Sequence, residues 1–569
     1  MVDDWVIARE SVVIPGDVLA RAAETQATLG GKLAALRSLS EPFPETAGPA
    51  AGDRWMSRAA ADPRTAADPE AVTDPRADAD PRAVTDPRTA VTDPRAAADP
   101  GEIVAASSAA SGLASKVEGD LTGLSAAALL AGYRAGAFDP VEVVDACLAR
   151  INGAGAAIGA VVALDGTARE QAARSASRWR NGQARPLEGV PVGVKDIIST
   201  RGLRTAAGSP LFIDHVPEAD ATVAARLRDA GAVVLAKTTT PEFAFGDQTG
   251  DAVVNPGAPG RWAGGSSSGS AAGLAAGLFP VALGTDTGGS IRVPSSYCGV
   301  SGIKATFGRV PRDGVFSVSW TLDNVGPMAR TVEDLGRVLD VIAGRSEADP
   351  YSATSPVAGC GAISASLRGL RVGVPCGWLP EGSSPGVAAA LSGALGRLED
   401  LGCTVEPVPF PHAELAGIIA WVITVVEFAA HHTSNLHRIG EFTPSAACRL
   451  AAGARTSAAD YLKALRARSL VQGDLAALFE QVDVLVTAAT PTSAPDPATF
   501  FDDGDRLWLD QVARNFLPFN VSGHPALVVP VGVDEDRPAA VQIVAPHHRD
   551  ALCLQVGAAL QTAAPSQSD

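Results

Sequence analysis

The chain has 569 residues, 46% of them hydrophobic and 19% charged, with a formal net charge of −17. So negative a chain repels phosphate backbones and anionic lipid, and it contains no local basic patch to offset this, which excludes a nucleic-acid partner. Length leaves the domain count open, and one large α/β domain with an appendage fits the residue pattern best.

The start, Met1-Val2-Asp3-Asp4, is acidic and lacks the basic region of a signal peptide. The longest apolar run, Leu415 to Val426, is too short to span a bilayer, so a cytoplasmic protein without membrane contact is expected. Within an N-terminal segment, residues 1–60, Leu19, Ala22, Leu29, Leu33 and Leu36 fall at heptad-like spacing. They predict one short amphipathic helix docking on the main domain. Residues 61–115 repeat Asp-Pro at 62, 68, 74, 80, 86, 93 and 99, with chiefly Ala, Val and Thr between. Proline at that frequency defeats helix and sheet alike, which predicts a disordered linker; a hexapeptide β-helix would need large apolar residues in register, and they are absent.

Residues 116–562 form the main domain and 563–569 a disordered tail. Asp139-Pro140 reads as an N-cap with proline at the first helical position, opening a helix from Val141 to Ile151. Asp220 is expected to cap a helix ending at Gly231, and Ala232 to Ala236 reads as a buried strand leading into Lys237. A second strand, Val190 to Val194, runs into Lys195, and a third, Val281 to Gly284, runs into Thr285-Asp286-Thr287-Gly288-Gly289-Ser290. This alternation predicts an α/β fold with a large mixed, largely parallel sheet covered by helices on both faces, and active residues at strand ends. The seven cysteines are scattered without CxxC spacing and read as free thiols. The histidines form no HExxH, and the pair His431-His432 reads as structural or solvated, so neither a metal nor a cofactor is expected.

Three segments carry chemistry. Gly264-Gly265-Ser266-Ser267-Ser268-Gly269-Ser270 would ordinarily be a flexible linker, but an apolar, ordered continuation leaves no second domain for it to join. It also matches G-x-S-x-G around Ser267, yet Pro259-Gly260-Arg261-Trp262 ahead of it is not the strand such an elbow requires. In the second segment, Ser290 follows two glycines at a strand end, where successive backbone N–H groups could turn inward as an oxyanion hole; a plain strand-to-helix turn is the bland alternative. The third is the strand that delivers Lys195 to the interior, where desolvation would lower its pKa and let a neutral amine act as base. An ion pair with the adjacent Asp196 would oppose that shift if its carboxylate points inward.

Together these segments resemble the amidase signature family, from about Leu121 to Leu560. The likeness extends through Lys237-Thr238, Pro241-Glu242-Phe243-Ala244, Gly302-Ile303-Lys304, Leu322-Asp323-Asn324-Val325-Gly326-Pro327-Met328 and Pro525-Ala526-Leu527-Val528-Val529-Pro530. The resemblance implies Ser290 as nucleophile, Ser266 after a cis Gly265–Ser266 bond as the bridging serine, and Lys195 as general base. It also implies an oxyanion hole from the backbone N–H groups of Thr287, Gly288, Gly289 and Ser290. Trp262-Ala263, Ser295-Ser296 and Ala305 depart from the family pattern without removing a catalytic group.

The function so implied is hydrolysis of a small-molecule carboxamide to a carboxylate and ammonia or an amine through a serine acyl-enzyme, by a stand-alone amidase. Gly314-Val315-Phe316-Ser317-Val318-Ser319-Trp320-Thr321-Leu322-Asp323 resembles such enzymes. The alternatives are a glutaminase like the glutaminase component of a glutamyl-tRNA amidotransferase, and a non-catalytic member acting as a binding protein. A homodimer is left open. Ser301-Gly302-Ile303-Lys304 matches the S-x-x-K of penicillin-recognising enzymes but lacks their partner motifs. Pocket walls are expected from Trp421 to Arg438 and from Ala498 to Phe519. Because no member of the implied triad precedes Lys195, residues 1–110 are expected to be dispensable for chemistry.

Overall fold

A computed structural model describes residues 16–28, 30–38, 120–246, 253–354, 360, 366–376, 382–500 and 512–562; the Asp-Pro segment and the C-terminal tail lie outside these residues. Eleven strands form one sheet: β1 (Val161–Leu164), β2 (Pro191–Lys195), β3 (Val233–Thr238), β4 (Val281–Asp286), β5 (Ser301–Lys304), β6 (Asn324–Ala329), β7 (Arg371–Cys376), β8 (Thr404–Pro409), β9 (Val484–Ala488), β10 (Ala526–Asp534) and β11 (Arg537–Val544). Their order is β1-β3-β2-β4-β6-β5-β10-β11-β9-β7-β8. Every residue of β2, β3 and β4 is buried, which is why these parallel strands read as unbroken apolar runs.

The sheet is mixed but less parallel than the alternation suggests: of ten neighbouring pairs, four are parallel and six antiparallel. Parallel pairing is confined to β3-β2-β4 and β9-β7-β8, and the centre is antiparallel. One cause is the hairpin between β10 and β11, where Asp534 pairs with Arg537. The two residues between them, Glu535 and Asp536, have φ of 50° and 65°, the left-handed backbone of a tight two-residue turn.

Nine helices bear on the site: α1 (Gly16–Thr28), α2 (Gly30–Ser38), α3 (Pro140–Asn152), α4 (Thr222–Asp229), α5 (Ser268–Ala275), α6 (Arg292–Cys298), α7 (Ala416–His431), α8 (Pro444–Arg455) and α9 (Ala458–Gln481). At α3 the expected cap is a full capping box: Asp139 accepts from the N–H groups of Val141 and Glu142, and the Glu142 carboxylate accepts from the Asp139 N–H. The expected cap of α4 does not form. Ala221 occupies that position, and the Asp220 carboxylate is engaged instead by the Arg201 N–H at 2.7 Å and by Arg228 at 3.3 Å.

The front segment forms two helices rather than one. Ala22 of α1 packs with Cys448 and Ala451 of α8, and Leu36 of α2 is fully buried among Trp421, Val422 and Val425 of α7 and Ala464 and Ala467 of α9. Burying one leucine contributes about 1.5–3 kcal/mol, so α2 is part of the core and not a loose appendage. Ala413–His431 is long and apolar enough to cross a membrane, but 72% of its most apolar stretch is buried inside the protein, as befits a core helix. None of the seven cysteines, all of them among the described residues, forms a disulfide.

Candidate active site

The parallel register of β2 and β4 brings their C-terminal ends to the same edge, with Val194 opposite Leu283. Lys195 closes β2 and is fully buried. Its Nζ lies 2.7 Å from Ser266 Oγ and 2.8 Å from Thr285 Oγ1. Burial pushes its pKa down to about 7, against the opposing pull of Asp286 and Asp323. Asp196 does not point at it. That carboxylate accepts from the Ala206 N–H at 3.1 Å, and its own pKa is raised by burial against the pull of Lys237.

Ser266 sits just ahead of α5, after a cis Gly265–Ser266 bond. Its neighbour Ser267 ties this turn to the end of β4. The Ser267 N–H donates to the Ser290 carbonyl at 3.1 Å, its Oγ donates to the Thr285 carbonyl, and the Thr285 N–H donates back to that Oγ, each at 3.2 Å. Lys195 and Ser266 are thus in contact, and the Ser290 backbone lies beside Ser267, with Ser290 9% and Ser266 5% exposed.

The loop from Thr287 to Ile291 is shaped by Asp286. Its carboxylate accepts from the Gly289 N–H at 2.8 Å, the Ile291 N–H at 3.2 Å, Asn520 at 2.8 Å, and both Nε and Nη2 of Arg292 at 2.9 Å. Burial alone would raise the Asp286 carboxyl, but Arg292 and these hydrogen bonds hold it well below the usual carboxylate range. Gly289 has φ of 112°, and a Cβ there would lie 3.0 Å from Phe516 and 3.1 Å from Val293, so the turn requires glycine. The Gly289 N–H is therefore already engaged, while Thr287 is fixed from its side chain, its Oγ1 donating to Asp323 at 2.5 Å.

Beside Thr285 and Thr287 lies a cavity walled by Ile197, Phe316, Val318, Trp320 and Tyr351, with Arg312 and Asp323 among its polar lining. Arg312 is occupied by Asp349 at 3.3 Å and by the carbonyls of Trp320 and Asp323. The expected wall from Trp421 to Arg438 is not among these residues. Helix α7 instead supports the wall from behind: Glu427, 1% exposed, accepts from the Ser319 hydroxyl and, at 3.1 Å and 2.8 Å, from the Thr321 N–H and hydroxyl. Of the other expected wall, residues 501–511 lie outside the described residues. His432 is structural. It packs 4.4 Å from Phe243 and 4.6 Å from Phe428, ring centre to ring centre, and burial pushes its pKa down to about 3. Thr285, Ser267, the Asp286–Arg292 pair and Asp323 were given no role by sequence, Ser267 figuring there only as the centre of a rejected elbow pattern. The first four stand inside or beside the serine segments, and the signal available was polar residues on a strand end that must be buried.

A family model described as Amidase matches residues 142–554. The A-type component of the glutamyl-tRNA(Gln) amidotransferase of Chloroflexus aggregans is 38% identical over 458 residues, covering 75% of this chain and 93% of that protein. A solved structure described as an unexpected vestigial protein complex that reveals the evolutionary origins of an s-triazine catabolic enzyme is 33% identical, covers 77% of this chain and 98% of its own, and superposes with a TM-score of 0.73. The peptide amidase of Stenotrophomonas maltophilia is 30% identical, covers 77% of this chain and 96% of its own, and gives a TM-score of 0.68. A match across most of the main domain, with relatives that align over nearly their whole length, makes this chain a member of the amidase signature family, enzymes that act on carbon–nitrogen bonds.

Proposed function

We propose that the chain hydrolyses a carboxamide through an acyl-enzyme on Ser290. The observation that carries this reading is Lys195: a fully buried lysine whose Nζ faces two hydroxyls and forms no ion pair among the described residues. A lysine held near neutrality has a lone pair to offer at physiological pH. Lys195 takes a proton from Ser266 as Ser266 takes one from Ser290, and Ser290 Oγ adds to the amide carbon. The C–N bond then breaks as the proton returns through Ser266 to the leaving nitrogen, and water releases the acid by the same route. With the Gly289 N–H directed at Asp286, the oxyanion donors reduce to Thr287, Gly288 and Ser290. Thr285 orients the lysine. A fluorophosphonate should label Ser290, and Ser290→Ala should abolish both labelling and turnover; labelling elsewhere with turnover intact would refute the assignment.

For the substrate, the curated relatives favour a glutaminase-like reading, with ammonia released from glutamine, over the stand-alone amidase expected from residues 314–323. The stand-alone reading keeps specific support in the likeness to the peptide amidase over 96% of that chain. Ammonia release by the purified chain from glutamine, compared with release from simple alkyl and aryl amides, separates the two. Activity on glutamine only in the presence of further partner proteins would favour the glutaminase reading, and robust hydrolysis of simple amides by the chain alone would favour the other.

A further inference from the structure

Residues 16–28 and 30–38 lie outside the stretch matched by the family model, yet Leu36 of α2 is packed into the same core as α7 and α9. Arg37 on α2 donates through Nε and Nη2 to the two carboxylate oxygens of Asp460, each at 2.9 Å. Asp460 stands in the first turn of α9, where the Ser457 hydroxyl also donates to it at 2.9 Å and Ser457 caps the helix. The next residue, Tyr461, donates its hydroxyl to Glu427 at 2.9 Å. Glu427 in turn holds Ser319 and Thr321, on the loop whose Ser317, Val318 and Trp320 wall the cavity.

The other side of that loop is fastened to the proposed catalytic edge. Asp323 accepts from the Ser317 hydroxyl at 2.8 Å and from the N–H groups of Val318 and Ser319 at 3.0 Å, as well as from Thr287. The loop thus has two anchors, one on the strand end that carries Thr287 and one on the helical layer. Helix α9 reaches it a second time through Arg468, whose Nη2 donates to the Thr321 carbonyl at 3.4 Å.

We propose that Glu427 is a positioning residue for the cavity-lining loop 317–321 and that the N-terminal helix α2, through Arg37 and the first turn of α9, sets the position of that residue. The N-terminal helices are then a tethered part of the substrate-binding wall. A bidentate pair fixes direction as well as distance, and the two residues that transmit it, Asp460 and Tyr461, are adjacent in one helical turn. The inference rests on the cavity's being the substrate site of the amidase reading, so its test needs a readout independent of turnover.

The experiment uses the full chain and three mild variants: Arg37→Ala, Tyr461→Phe and Glu427→Gln. Amide hydrogen exchange is followed over residues 316–323, with the rate at which a fluorophosphonate acylates Ser290 measured on the same samples. The variants should exchange faster over 316–323 than the wild type while their melting temperatures stay close to it. Acylation should slow by about 5- to 100-fold for Glu427→Gln, where the loop loses its anchor, and by about 2- to 5-fold for Arg37→Ala, a pair half open to solvent. Arg37→Lys should recover part of the loss, and the double variant Arg37→Ala, Glu427→Gln should be no slower than Glu427→Gln alone. Additive slowing, or unchanged exchange over 316–323 in Arg37→Ala, overturns the proposal. If the wild type is not acylated at Ser290, the amidase reading fails, and the exchange data still decide whether α2 positions the loop.

Discussion

The strand-end edge formed by β2, β4 and the turn ahead of α5 differs from the helical layer α7–α9 in how each meets the cavity. At the strand ends the groups are held by side chains that meet there: Lys195 Nζ meets Ser266 and Thr285, Ser267 ties one serine segment to the other, and Arg292 clamps Asp286 six residues away. Each group there is fixed by short, buried, charge-assisted or hydroxyl contacts with little slack. The helical layer reaches the cavity through the loop 317–321, by way of the Glu427 carboxylate and, from α9, Arg468. Chemistry is assigned to the rigid edge and shape to the adjustable layer, so substitutions in the two regions should fail differently.

The sharpest way to break that contrast is at the edge itself. Ser290→Ala should lower amide turnover by about 10³-fold or more while leaving the melting temperature near the wild-type value, as measured by ammonia release and by thermal unfolding. Next in size, Arg292→Met leaves the Asp286 carboxylate buried without its cation, which costs about 3–5 kcal/mol of stability and should show as a large drop in the denaturant midpoint. Asp323→Asn weakens the hold on Thr287 and on the loop together, and should slow Ser290 acylation by about tenfold with a smaller loss of stability. Removing residues 1–110 deletes Leu36 and Arg37 from the α7–α9 face. The truncated chain should remain able to acylate Ser290 but more slowly, and should melt at a lower temperature, which qualifies the dispensability for chemistry expected from sequence. A truncated chain equal to the wild type in both would show that α1 and α2 add nothing to the helical layer.

The same contrast decides what sequence could reveal. Strands β2, β3 and β4 were legible because a strand buried on both faces must be apolar throughout, and a lysine or a Gly-Gly-Ser at its end then stands out. Lys195 and the Gly-Gly-Ser that ends in Ser290 stand out for that reason, whereas Ser266 is marked by its Gly/Ser segment and the resemblance; the structure sets Ser266 against Lys195 and the Ser290 backbone against Ser267. The cavity wall was not legible. Trp421 to Arg438 looked like a pocket lining because it is apolar, but that apolarity packs α7 into the core, and the wall at 316–320 is held both by the nearby Asp323 and by Glu427, which is 106 positions from its partner Thr321. Asp220 shows the same limit on a smaller scale: its position fits a helix cap, but the Arg201 N–H from the segment after β2 takes the carboxylate, with Arg228 of α4 beside it. One reason the antiparallel centre of the sheet went unread is that the turn between β10 and β11 uses Glu535-Asp536, without the glycine that marks such turns.

The central claim is that Lys195 is the base, and the pH dependence of Ser290 acylation tests it most directly. With its pKa pushed down to about 7, Lys195 is protonated and unable to accept a proton below that pH and becomes competent above it. The wild-type acylation rate should therefore rise as pH increases through about 7 and level off above it. Lys195→Ala should lose both the rise and most of the rate, even though Lys237 and Lys304, also held near 7 by burial, are still present. A Lys195→Ala profile with the same rise at a comparable rate would show that another group supplies the base.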